Sequence, residues 1–196
     1  MKNLKNGLAW KICAITGVCL IVAAMAWLVI WQSGIGSSVK KAEYYADTIR
    51  TLIPEPQGAV LTERRDNNMS TLSIDDTNFV GIIEMPRYES VLPVCADWGN
   101  LSDYPCRFSG SVYDRTMQVG GTSQKGQYDF YRDISVGDSV FFTDMEGNRY
   151  EYAVTDIKYE NNADQNTLNR NDSALTLFIK NIYAFEYIII SCDVLN

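Results

Sequence analysis

The chain has 196 residues, of which 46% are hydrophobic and 21% charged, a balance that excludes an intrinsically disordered protein and allows one domain of ordinary size with an appendage. The net charge is −7, and Lys and Arg form no cluster larger than the group Lys2, Lys5 and Lys11 and adjacent pairs such as Lys40 and Lys41. Because binding to phosphates requires clustered positive charge, nucleic acid is excluded as a partner.

The first predicted element is a membrane-spanning helix over residues 12–31. This segment contains no charged residue, and about 20 residues in a helix are enough to cross the hydrocarbon core of a bilayer. Positive charges precede the segment, so residues 1–11 are predicted to be cytoplasmic and the rest of the chain extracellular, in a single-pass cell-membrane protein. A cleaved signal peptide is the alternative, but its apolar region is usually ~7–15 residues, and bulky Trp27 and Trp31 occupy the place of a small-residue cleavage site.

Residues 32–78 are predicted to form a juxtamembrane helix and a linker. Apolar residues recur at helical spacing until Pro54 and Pro56 end the pattern. They are Val39, Ala42, Tyr45, Ala46, Ile49, Leu52 and Ile53. This stripe has two alternative contacts, the folded domain or the lipid, and the sequence does not choose between them. Residues 55–78 are polar and predicted to be the linker.

Residues 79–196 are predicted to form an all-β domain. Short β-rich segments follow one another at 79–85, 90–94, 116–119, 139–143, 149–156, 175–179 and 187–194. One short helix is predicted at 127–134. Residues 144–148 have the pattern of a hairpin turn with Gly147 at positive φ, and they are too few for a calcium loop, which needs about 12 residues. No metal or cofactor site is predicted.

Five cysteines are present, and Cys13 and Cys19 fall in the apolar segment, where they are expected to be small apolar residues. Cys95, Cys106 and Cys192 lie outside it. A disulfide between Cys95 and Cys106 would close a short loop and contribute about 3 kcal/mol. Spacing alone does not decide between this bridge and two free thiols.

Several landmarks in this region occur in an order and spacing that resemble a known family. They are Val-Gly-Ile-Ile-Glu-Met-Pro at 80–86, Leu-Pro-Val at 92–94, Pro-Cys-Arg-Phe-Ser-Gly-Ser at 105–111, Val-Gly-Gly-Thr-Ser at 119–123, Val-Gly-Asp at 136–138, Leu-Thr-Leu-Phe-Ile-Lys at 175–180 and Tyr-Ile-Ile-Ile-Ser-Cys-Asp at 187–193. Together they resemble the sortases, cysteine transpeptidases of the Gram-positive cell surface, and in particular a clostridial-type group. The resemblance implies a closed eight-stranded β-barrel with short helices at residues 79–196, preceded by the transmembrane helix.

The resemblance also implies where the reacting groups of a sortase would lie. In the family a Cys thiolate attacks the carbonyl of a sorting signal, a His protonates the departing amine, and an Arg supports the substrate or the oxyanion. The matching positions here are Lys180, Thr122 and Tyr187, and the chain contains no histidine at all. A lysine would form a stable amide, threonine cannot shuttle a proton near neutrality, and tyrosine lacks a guanidinium group.

Other nucleophiles are weaker candidates. Cys192 lies in the last strand, where the family itself often has cysteine. Cys95 and Cys106 have no base, and an ordinary thiol is largely protonated at neutral pH. Lys180 could act alone only if desolvation lowered its pKa.

The sequence therefore predicts a degenerate, catalytically inactive sortase that binds a sorting-signal peptide, a pilin or a partner sortase. One alternative is an active sortase-like transpeptidase with non-standard residues, and a second is a structural single-pass β-domain without a peptide groove. The discriminating observation is whether Thr122, Lys180 and Tyr187 lie together in three dimensions.

Overall fold

The computed structural model describes residues 3–54, 68–99, 101–161 and 173–195, which form two compact units, Met1–Ser37 and Ser38–Asn196. Helix α1 (Asn3–Leu52) supplies the described part of the first unit and the first element of the second. Within it, Trp10–Ile30 is long and apolar enough to cross a membrane. Most of the predicted linker, residues 55–67, lies outside the described residues.

The rest of the second unit is built from strands. Its described elements are β1 (Leu72–Ile74), β2 (Thr77–Met85), a 3-10 helix (Pro86–Tyr88), β3 (Ser90–Cys95), β4 (Cys106–Ser109), β5 (Met117–Thr122), β6 (Ser139–Asp144), β7 (Arg149–Glu160), β8 (Leu175–Asn181) and β9 (Glu186–Val194).

Eight of these strands close into a barrel. Their order is β2-β3-β4-β5-β8-β9-β7-β6, and pairing between β2 and β6 completes the ring, while β1 adds to β2 from outside. The pairs β3–β4 and β5–β8 are parallel, and the others are antiparallel. The predicted fold class, a closed eight-stranded β-barrel with an apolar helix before it, is confirmed.

The barrel interior is the main core, and β8 shows why its sequence forms a strand there. Leu175, Leu177 and Ile179 alternate along β8, point inward, and are fully buried among side chains such as Tyr152 and Ile190. Burial of each such side chain stabilises the fold by ~1.5–3 kcal/mol. The intervening residues, Thr176, Phe178 and Lys180, therefore belong to the outer face.

A second apolar cluster lies on the outside of the barrel. Tyr45 and Ile49 of α1 pack there against Phe79, Ile82 and Tyr104. The apolar stripe that begins at Val39 thus contacts the barrel, which decides between the two alternatives that the sequence leaves open. The helix ends at Leu52, as expected shortly before a proline.

The predicted helix at 127–134 is wrong, because this stretch forms consecutive turns. Gly126 adopts φ 82°, and the hydrogen bonds close over three residues, from the Tyr131 N–H to the Tyr128 carbonyl and from the Asp133 N–H to the Phe130 carbonyl. Tyr128 and Tyr131 are both buried in the barrel core, so tertiary packing overrides the local helical pattern.

Two of the observed strands were not predicted from the sequence. β1 lies within the stretch predicted as linker, and β4 lies where no strand was predicted. Each is only three or four residues long, so neither contains enough alternation to be recognised. The predicted hairpin turn at 144–148 is present, with Gly147 at φ 82° and the Asp144 carboxylate accepting hydrogen bonds from the Glu146 and Asn148 N–H groups.

Candidate functional site

The three residues predicted to occupy the catalytic positions lie side by side. Thr122 of β5 is the direct parallel partner of Lys180 of β8, and Lys180 is the direct antiparallel partner of Tyr187 of β9. Neighbouring strands are ~4.8 Å apart and direct partners point to the same face, so the three side chains form one row on the outer face. We call Thr122, Lys180 and Tyr187 the outer row.

The members of the outer row differ in their exposure. Lys180 is exposed and Tyr187 half-buried, whereas Thr122 is buried, with its Oγ1 lacking a hydrogen-bond partner. The Thr122 N–H donates to Gln127 Oε1 at 3.0 Å. A buried hydroxyl without a partner costs about 1–3 kcal/mol of stability.

Hydrogen bonds fix the strand ends around the row. The Ser123 N–H donates to the Lys180 carbonyl at 3.0 Å, and the Ile182 N–H donates to Ser123 Oγ at 3.1 Å. Asn181 donates to the Tyr131 hydroxyl at 3.0 Å. Because these bonds join the end of β5 to the end of β8, the spacing of Thr122 and Lys180 is set by the fold.

An aromatic cover lies on the outer face beside the row. Trp98 packs directly over Gly120, where any Cβ atom would overlap the indole ring, and meets the Phe108 ring edge-on with centroids 4.9 Å apart. Phe108 in turn meets Phe178 edge-on. Gly120 and Phe178 precede Thr122 and Lys180 by two residues, so this Trp98 cover adjoins the outer row.

Hydrogen bonds hold the segment that carries Trp98 on two sides. Gln127 donates to the Leu101 carbonyl at 2.8 Å, so one amide joins this segment to the Thr122 N–H. On the other side the Asp103 carboxylate accepts from Ser38 Oγ at 2.9 Å and from Lys41 Nζ at 3.2 Å. The segment therefore bridges α1 and the end of β5.

Comparison with known proteins identifies the architecture. No protein-family model and no curated protein matches the sequence. The structure is similar to sortase C-3 of Streptococcus pneumoniae (TM-score 0.53, 13% identity, 84% of each chain covered) and to sortase A of Corynebacterium diphtheriae (0.52, 14%, covering 83% of this chain and 84% of that one). It is also similar to sortase A of Listeria monocytogenes (0.51, 19%, covering 60% and 88%).

The chain has the sortase fold. At these identities the similarity is one of backbone architecture, and the assignment of the outer row to the family's catalytic positions stays a prediction. The adjacency of the three residues agrees with that assignment, since wide separation would have contradicted it.

The outer row presents a hydroxyl, an ammonium and a phenol, without imidazole, thiol or guanidinium. The alternative nucleophile Cys192 does not join it, because its side chain is buried inside the barrel, where burial raises the pKa of the thiol. Cys95 and Cys106 are buried in the outer apolar cluster. Among the described residues, no group of three or more His, Cys, Asp or Glu side chains could hold a metal ion.

Two cavities of the sortase-fold unit lie elsewhere. The first cavity, of about 480 Å³, lies between residues of α1, including Ala42 and Ala46, and the residues Leu92 and Phe130. The other, of about 330 Å³, lies between the end of α1 and Thr143 and Arg149 of the barrel. No member of the outer row lines either of these two cavities.

The Trp98 cover is the part of the site that sequence reasoning missed. The sequence contained one indication of it. Two consecutive glycines inside a strand indicate that other groups approach the backbone closely. Gly120 makes room for Trp98 on the outside, and Gly121 makes room for Tyr128 on the inside. The identity of the covering residue could not be read from the sequence, since Trp98 lies outside any periodic segment.

Proposed function

We propose that this chain is a membrane-anchored protein with the sortase fold that lacks transpeptidase chemistry and binds a sorting-signal peptide. The observation that supports it best is the outer row, which brings together at the ends of adjacent strands the three residues that we assign to the family's catalytic positions. We expect that peptide to come from one of three sources. These are a free sorting signal, a pilin that carries one, and a partner sortase engaged with one.

The chemistry of the row argues for binding rather than turnover. Acyl transfer to Lys180 would form an amide, which is far more stable than a thioester, so the cycle would stop after one event. Thr122 cannot serve as an acid or base near neutrality, and no histidine exists to replace it. What remains at the row is an ammonium group and two hydroxyl groups, which are suited to holding carbonyl and carboxylate oxygens.

The surface next to the row favours a protein or peptide partner. The turn between β8 and β9 exposes Ile182, Tyr183 and Phe185, the last 97% exposed. We call these three residues the apolar tip. Exposed aromatic side chains clustered beside a polar site are typical of recognition surfaces. The peptide is proposed to lie between the apolar tip and Lys180.

In the proposed arrangement the helix Trp10–Ile30 anchors the protein in the cell membrane. Lys2, Lys5 and Lys11 keep its N-terminus in the cytoplasm, and the barrel faces the cell wall.

Peptide titration tests this function. The full chain in detergent micelles is titrated with a panel of labelled sorting-signal peptides, and binding is followed by fluorescence anisotropy. We expect Lys180→Met and Phe185→Ser each to weaken binding roughly tenfold, the loss of about 1.4 kcal/mol, because each removes one contact. Lys40→Met, which removes an exposed charge from α1, is the matched control and should leave binding unchanged.

Two results would overturn the proposal. Absence of binding for every peptide would leave a structural β-domain. Cleavage of a quenched sorting peptide by the wild-type chain, abolished in Lys180→Ala, would instead establish an active transpeptidase.

A further inference from the structure

Cys95 and Cys106 form a paired feature that the proposed function does not use. Cys95 ends β3, Cys106 begins β4, and the two are direct partners in the parallel pairing of these strands. Both are buried, at 7% and 0% exposure, and their thiols donate to nearby backbone carbonyls, Cys95 to Asp97 at 3.4 Å and Cys106 to Tyr104 at 3.7 Å. Direct partners on neighbouring strands have Cα atoms at a separation that a disulfide can span.

The two thiols are electrostatically unequal. The neighbouring Cys106 thiol stabilises the Cys95 thiolate and lowers the pKa of Cys95, whereas the proximity of Cys95, together with burial, raises the pKa of Cys106. Cys95 is thus the stronger candidate for attack on a disulfide, and Cys106 is placed to resolve the product.

We propose that Cys95 and Cys106 form an intramolecular disulfide by exchange with a low-molecular-weight disulfide. The Cys95 thiolate attacks one sulfur of the oxidant, which forms a mixed disulfide and releases the first thiolate. Cys106 then loses its proton and attacks the Cys95 sulfur, which closes the protein bond and releases the second thiol. The two electrons lost by the cysteines reduce the small disulfide to two thiols.

The bond would close the base of the segment at 96–105. This segment carries Trp98 and Leu101, both of which lie against Gly120 of β5. The disulfide would therefore restrain the Trp98 cover in place on the outer face. This inference does not depend on which molecule the outer face binds.

The pairing is specific among the described cysteines. Cys192 lies inside the barrel, paired in the sheet with Val154 and Leu175. Cys13 and Cys19 belong to the other compact unit. Among the cysteines in the described part of the chain, only Cys95 and Cys106 are direct partners of each other in the sheet.

Peptide mapping tests the proposal on the full chain in detergent micelles. After incubation with oxidised glutathione, free thiols are alkylated and the chain is cut before aspartate, which separates 76–96 from 103–113 by removing 97–102. We expect these two fragments to stay joined until a reductant is added. Two separate alkylated fragments, or a glutathione adduct that persists on Cys95, would overturn the proposal.

Thermal unfolding gives a second measurement. A disulfide that closes a short loop is expected to raise Tm by roughly 6–12 °C in a domain of this size, and reductant should remove the increase. Cys95→Ser and Cys106→Ser should abolish the redox-dependent shift, and the matched control Cys19→Ser should retain it. Equal Tm values for oxidised and reduced wild-type chain would contradict the inference, whether or not the serine variants fold.

Discussion

The two consecutive glycines of β5, Gly120 and Gly121, face opposite sides of the barrel wall. Gly121 faces inward, where a Cβ atom would overlap the fully buried ring of Tyr128. Gly120 faces outward, where the overlapping group is Trp98, which is 47% exposed and has room to move. The cost of adding a methyl group should therefore depend on the face that receives it.

We expect Gly121→Ala to lower the free energy of unfolding by about 1–3 kcal/mol, because the Tyr128 ring cannot leave the core. Gly120→Ala should cost less, because Trp98 can shift toward solvent. Denaturant unfolding of the two variants measures the difference. Equal losses would show that Trp98 is held as firmly as Tyr128.

Asp138 is the second residue with a testable role. Burial raises the pKa of its carboxyl group, but hydrogen bonds from Tyr88, the Ser135 N–H and Arg87 outweigh that effect, so the pKa is lowered. The Tyr88 hydroxyl lies 2.5 Å from Oδ2, and Arg87 lies 2.6 Å from Oδ1. A lowered folded-state pKa means that the ionised carboxylate stabilises the native state.

Asp138→Asn should lower the free energy of unfolding at pH 7 by about 1.5–3 kcal/mol, the range for hydrogen bonds to a charged group. The contribution is complete above the unfolded pKa of ~3.9 and is lost as the pH falls through the lower folded value. The wild-type and variant curves should therefore approach each other as the pH falls below ~3.9. Glu89→Gln, at a neighbouring exposed carboxylate, is the control, and a gap that persisted at low pH would contradict the assignment.

At the scale of elements, sequence reasoning succeeded where a strand or helix has its own periodicity. β8 and β9 were predicted nearly to their ends, and so was the stripe on α1, because their buried residues recur at fixed spacing. It failed at β4 and at the turns around Tyr128, which exist because other elements pack against them. The residues of the outer row were proposed from the resemblance to the sortases, and their adjacency follows from the register of three regular strands. The Trp98 cover was missed because it belongs to a segment without a period.

The ends of β5, β8 and β9 supply an element-scale prediction. Thr122→His, Lys180→Cys and Tyr187→Arg combined should restore cleavage of a quenched sorting peptide, because the register already sets these positions side by side. The matched control carries the His and Arg substitutions but retains Lys180. Cleavage by that control, or none by the full combination, would contradict the assignment of the row.

At the scale of the whole molecule, the fold was easier to predict from the sequence than the function. At 13–19% identity to the three sortases above, the pattern of buried residues still closes the same barrel. The fold was predictable because many side chains satisfy one pattern of alternation. The function was less predictable because it depends on a few side chains, and the assignment of the outer row to the family's catalytic positions stays a prediction.

The shortest strand pairing in the barrel is that of β3 with β4, where a single residue pair joins the strands. We call this pairing the seam. Of the pairings on either side, β2–β3 extends over six register positions and β4–β5 over three. Local opening should begin where the fewest backbone hydrogen bonds must break. In native-state hydrogen exchange, the amides at this seam should exchange by sub-global opening, well before those of β8 and β9. The barrel can thus loosen around Trp98 while the three strands that carry the outer row remain paired.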